Sequence, residues 1–127
     1  MKEQLIETKG GPLWIEDGVI RRECACVIEN LEIAEETVAV TKKLANSISG
    51  KKLLLVDCSL LQKIRREARV YYAQKDNLDY LERMAFIVKN PVARVIASFF
   101  VGIGVQPIPI KYFNNEKEAL DWLKSAR

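Results

Sequence analysis

Asp57 and Ser59 close an apolar run, and Lys63, Arg65, Arg66 and Arg69 follow in the segment LLLVDCSLLQKIRREAR. These are the residues of the chain best placed to do chemistry. Residues 65 and 69 are four apart, so on a helix they share one face. The start of a helix is electropositive, which makes cations unfavourable there. A phosphate or carboxylate would turn the repulsion between the guanidinium groups into attraction. Backbone N–H groups of the first turn would add donors, and Ser59 a hydroxyl. Ser59, Arg65, Arg66 and Arg69 are therefore one candidate site, for a small anion or an acidic protein partner. The alternative is that Arg69 pairs with Asp57 or Glu67 while Arg65 and Arg66 stay solvated.

A second candidate is the apolar helix after Asn90-Pro91. Val92, Val95, Ile96, Phe99 and Phe100, with Ala93 and Ala97, cover most of its circumference. A helix apolar on all sides must be buried on more than one. One side faces the sheet. The other meets a second copy of the chain, lines a pocket for an apolar ligand, or lies under the N-terminal segment.

Nothing in the sequence makes a catalytic set. Histidine is absent, which removes the commonest general acid–base and the commonest metal ligand. No phosphate-cradling glycine loop follows a strand. Cys24-x-Cys26 puts two thiols on one strand face, but no further ligand of the usual type is near, so core packing is the better reading. Cys58 is either buried or a redox-sensitive thiol helped by nearby positive charge. No enzyme, metal or cofactor is expected.

The elements that must position these residues follow from period and punctuation. Residues 1–12 are polar, end in Gly-Gly-Pro and read as a loose lead-in; residues 13–127 read as one domain. Leu13–Ile15 and Val19–Ile28 read as strands around the Asp17-Gly18 turn, with Cys24, Cys26 and Ile28 on one face. Helical spacing runs from about Ile33 to Ile48, with Asn30 its earliest start and Gly50 a plausible C-terminal cap. Leu53–Val56 reads as a central strand buried on both faces. A helix from Arg65 to Leu78, a strand at Met84–Val88 and a helix from Pro91 to Val101 follow. Ile108–Tyr112 is an edge strand marked by Pro107 and Pro109, and a last helix spans Glu116–Lys124. Strands alternating with helices predict an α/β fold with a mainly parallel sheet and a mixed edge.

The bulk numbers suit one domain with a real core: 127 residues, 49% hydrophobic. Twenty basic residues against 17 acidic ones leave a net charge of only +3. That is mild for a nucleic-acid binder, so none is expected. The longest apolar stretch is too short to span a bilayer, so no stable membrane insertion is expected. MKEQLIETKG lacks the apolar core of a signal peptide, and three cysteines without framework spacing suit a reducing cytoplasm.

This order of elements resembles the STAS domain, the SpoIIAA-like fold of the bacterial anti-sigma-factor antagonists, which is related to the CRAL-TRIO lipid-binding fold. Antagonists carry Asp, an apolar residue and Ser at the end of a central strand, matched by Asp57, Cys58 and Ser59. Leu61 and Ile64 also match in place. The Asp-Ser-Ser-Gly that opens the antagonists' next helix is replaced by Arg65, Arg66, Glu67 and Ala68. The serine that kinases modify falls at Arg66, so that switch is not carried over. A closer resemblance is to a small bacterial group of STAS-like proteins. It is carried by Arg66-Glu67-Ala68-Arg69-Val70-Tyr71-Tyr72-Ala73, Pro91-Val92-Ala93-Arg94-Val95-Ile96, Lys111-Tyr112-Phe113 and Glu118-Ala119-Leu120-Asp121-Trp122-Leu123. The resemblance implies the fold; together with the Arg-flanked helix start and the apolar helix, the expectation is a non-catalytic protein-interaction or regulatory module, as a homodimer or higher oligomer. By analogy of fold, the rival is a carrier or sensor of a small apolar or anionic ligand.

Overall fold

The computed structural model describes residues 1–101 and 107–126, without the side chains of 97 and 99–101. Strands β1 (Glu3–Ile6), β2 (Leu13–Glu16) and β3 (Val19–Glu23) are followed by the two-residue β4 (Ile28–Glu29) and by helix α1 (Leu31–Asn46). Then come β5 (Leu53–Asp57), the short β6 (Lys63–Ile64), α2 (Arg66–Tyr72) and a 3-10 turn at Lys75–Asn77. The chain continues through β7 (Arg83–Ile87), α3 (Pro91–Val101), β8 (Ile110–Phe113) and α4 (Glu116–Lys124).

The main sheet has the order β1-β2-β3-β5-β7-β8. Its first three strands pair antiparallel, and β3, β5, β7 and β8 run parallel. The fold is thus the mixed-edge α/β sheet predicted. The turn between β2 and β3 puts Asp17 and Gly18 both at positive φ (53° and 77°), the two-residue hairpin that Asp-Gly favours. Period-two alternation sends Ile20, Arg22, Leu54, Val56, Met84 and Phe86 to the face packed by α1, α2 and α3. Val19, Leu55, Ala85 and Ile87 face the other way, against Ala119 and Leu123 of α4.

Three of the four described α-helices start where a side chain serves a free N–H. Asn30, Asn90 and Asn115 accept from the backbone of Ile33 (2.9 Å), Ala93 (2.8 Å) and Glu118 (2.9 Å). α2 has no side-chain cap. It also ends early, at Tyr72 rather than Leu78. Asn77 Nδ2 donates to the Tyr71 carbonyl (2.7 Å), and that bond holds the chain in a tighter turn.

Three further expectations are corrected. Residues 3–6, placed in a loose lead-in, form an edge strand on β2. The strand expected through Ile28 stops at Glu23, because Cys24 N–H still reaches Asp57 O (2.9 Å) but Ala25 N–H turns to Gly10 O (3.1 Å). Ile28 then joins a separate parallel ribbon, β4–β6, and is exposed. Ser47, not Gly50, closes α1. Phe99 and Phe100 have side chains outside the described residues.

Candidate functional site

The parallel strands β3, β5 and β7 end together at Glu23, Asp57 and Ile87. In open α/β sheets this is where sites form. Asp57 Oδ1 there accepts from the backbone N–H (2.9 Å) and hydroxyl (2.5 Å) of Ser59. Ser59 O in turn accepts from Asn90 Nδ2 (2.8 Å), which ties the loop to the start of α3. The Ser59 hydroxyl is thus engaged by the strand end.

The β4–β6 ribbon crosses the same end of the sheet. Val27 O accepts from the N–H groups of Gln62 and Lys63, and Glu29 O accepts from Arg65 N–H (2.8 Å). The ribbon therefore sets where the arginines begin. Arg65 and Arg66 are exposed and Arg69 is half-buried. α2 has only seven residues and Glu67 in its first turn, so it offers little dipole to an anion. Val27, Ile28 and Leu60 lie exposed beside this ribbon, and Val70 on α2 is half-exposed too. On α3, Val92 and Val95 are exposed while Ile96 is buried in the core.

Behind the ribbon lies a group that sequence reading missed. Arg22 and Glu29 are 5% and 2% exposed. Arg22 Nη1 and Nη2 donate to Glu29 Oε2 (3.0 Å) and Oε1 (2.6 Å). Nη2 also reaches Gly10 O (3.1 Å), and the Tyr72 hydroxyl donates to Glu29 Oε2. Cys26 Sγ donates to Glu29 Oε1 (3.4 Å). Burial alone would raise the Glu29 carboxyl, but the Arg22 bonds and charge, with Tyr72 and Cys26, hold it below the ordinary range. Burial also pushes the Tyr72 phenol well up and the Cys26 thiol up to about 12. The one sequence signal was a strand position, Arg22, on the same face as Ile20.

Arg22 Nε remains buried without a hydrogen-bond partner. Thr37 Oγ1 has none of good geometry either, although it stands close enough to Tyr72 to favour the phenolate. Both residues line a mostly apolar cavity of about 50 Å³ under α1, shared with Cys24, Cys58, Tyr72 and Ile96. A larger polar cleft of about 270 Å³ opens on the opposite sheet face, beside Trp14, Arg21, Glu23, Asp57 and Glu116. Its charges are largely self-paired: Arg21 bridges Glu16 (3.6 Å) and Glu116, and Lys2 covers the Trp14 ring (4.2 Å). Among the described residues no group of three or more His, Cys, Asp or Glu is placed to hold a metal ion. No helix among them is long and apolar enough to cross a membrane.

A mostly parallel sheet with an antiparallel edge, three helices on one face and one on the other, defines a SpoIIAA-like α/β protein. An uncharacterised protein of the DUF3478 family from Shewanella loihica PV-4, described as having a SpoIIAA-like fold, superposes with a TM-score of 0.56 at 15% identity. The match covers 97% of this chain and 95% of that one. The chain belongs to the family described as Domain of unknown function (DUF7793), whose model matches residues 13–127. No curated protein matches the sequence.

Proposed function

We propose that this protein is a non-catalytic interaction module that docks an acidic protein partner at the C-terminal ends of its parallel strands. The observation that carries the reading is the surface there. Val27, Ile28 and Leu60 are exposed on and beside the ribbon, next to the exposed cations Lys63, Arg65 and Arg66. Apolar anchors rimmed by one sign of charge fit a partner surface of the opposite sign. Ser59, bonded to Asp57 and Asn90, ties down one end of the segment, and Arg69 lies half-buried at the other. The carrier reading needs several hundred Å³ of pocket; the apolar cavity offers about 50 Å³ and does not favour it. Self-association through Val92 and Val95 on α3 belongs to the same proposal.

The test compares the native chain with Arg65→Glu/Arg66→Glu and with Leu60→Glu by titration calorimetry against the protein it retains from its own cells. The partner is expected to be acidic. Its binding should weaken with salt and fall at least about tenfold in the charge-reversed variant. Equal binding by native chain and variants would end the proposal. Light scattering reads the α3 surface: a strictly monomeric native chain at high concentration would remove self-association.

A further inference from the structure

The cavity under α1 has chemistry that an interaction module does not use. Cys24 and Cys58 are 2% and 3% exposed and both line it. They are neighbours by register. β3 and β5 pair in parallel as far as Glu23 and Asp57, and Cys24 N–H extends the ladder to Asp57 O. Alternation from Arg22 and Val56 sends both thiols to the same face. Adjacent strands stand about 4.8 Å apart, inside the Cα separation a disulfide spans. Arg22 and Thr37, each 5% exposed, both line this cavity, and the Arg22 Nε–H and Thr37 hydroxyl are buried with no hydrogen bond of good geometry. About 50 Å³ holds a few water-sized groups. The unengaged donor needs an acceptor, and the space limits that acceptor to a very small polar molecule.

We propose that Cys24 and Cys58 form a peroxide-reactive dithiol, with Arg22 and Thr37 orienting a small hydroperoxide beside Cys24. The Cys24 sulfur attacks one peroxide oxygen. An S–O bond forms, the O–O bond breaks, and the departing oxygen takes the thiol's proton and, with hydrogen peroxide, leaves as water. Cys58 then attacks the Cys24 sulfur. The S–S bond forms, the S–O bond breaks, and hydroxide leaves with the Cys58 proton as a second water. Two electrons from the two sulfur atoms thus reduce one peroxide bond. The roles follow from placement. Arg22 is two residues from Cys24, and both line the cavity. Cys58 holds its proton tightly, first through its hydrogen bond to Cys24 and then through burial, which suits the second step rather than the first.

The experiment uses the full chain carrying Cys26→Ser, which keeps a donor to Glu29 and leaves only the two thiols in question. Hydrogen peroxide is added to folded and urea-unfolded protein, and non-reducing mass spectrometry follows the cross-link. The folded chain should form the Cys24–Cys58 disulfide at least about tenfold faster than the unfolded one, the minimum worth of a fixed donor at a leaving oxygen. Thr37→Val should slow it by about tenfold on the same argument. Adding Cys58→Ser should leave a sulfenic acid at Cys24 that dimedone traps. Thiols that stay free until the chain unfolds, equal rates in the two states, or an unaltered rate in Thr37→Val would each overturn the proposal. Circular dichroism shows that each variant is folded before its rate is read.

Discussion

Arg22 and Glu29 form a two-pronged ion pair with almost no exposure to water, joining the end of β3 to the β4–β6 ribbon. Neither charge is tolerable there alone. The pair also fastens the Gly10 turn on one side and Tyr72 of α2 on the other, so it connects the N-terminal segment, the sheet and the ribbon that carries the proposed docking surface.

Breaking the pair from one side leaves a buried charge without its partner. Glu29→Gln is expected to lower stability by about 3–5 kcal/mol in urea unfolding. Arg22→Met with Glu29→Leu should cost less than the sum of the single changes, by at least about 1 kcal/mol. Strict additivity would mean that the two side chains do not act as a unit.

The pair also sets an acid limit. Glu29 is depressed in the folded chain, so the unfolded chain takes up the proton first as pH falls. Its contribution is complete above the ordinary glutamate value of about 4.3 and is lost as pH falls through the folded value. Stability measured by urea titration should drop in that window, and the drop should be smaller in Glu29→Gln. At the alkaline end the sign reverses for Tyr72, which is raised. Stability should decline above about pH 10, and Tyr72→Phe should decline less.

The three asparagine caps are not equivalent. Asn115→Ala removes one cap bond and should cost about 1 kcal/mol. Asn90→Ala removes a cap bond and the bond to Ser59 O, and should cost about twice as much. Thermal unfolding of the two variants gives the comparison; equal shifts in Tm would show that the Ser59 bond adds nothing.

Glycines 11 and 18 both have positive φ, at 109° and 77°. A Cβ at Gly18 meets open space, whereas one at Gly11 would fall on the carbonyl oxygen of Glu23. Gly18→Ala should therefore cost only the backbone strain, about 1 kcal/mol. Gly11→Ala must also displace the end of β3, and should lower Tm several-fold more.

The sequence by itself determined the alternation of helices and strands, the hairpin and three of the four helix starts. These rest on local causes: period in the apolar residues, Asp-Gly turn chemistry, and asparagines placed to accept from a free N–H. It also exposed the basic segment after Ser59. Only the tertiary structure decided what lies around that segment. β1 could not be read because a four-residue segment of two polar and two apolar residues becomes a strand only when β2 offers an edge. α2 was read too long because the bond that ends it comes from Asn77, beyond the helix. Tyr72 stands far along the chain from Arg22 and Glu29, and all three look like ordinary surface or rim residues there. Burial makes them a unit, since in the low-polarity interior each polar group must be met by a protein partner rather than by water. In the same way Cys24 and Cys58 are unrelated in the sequence, and parallel pairing of β3 with β5 makes them neighbours.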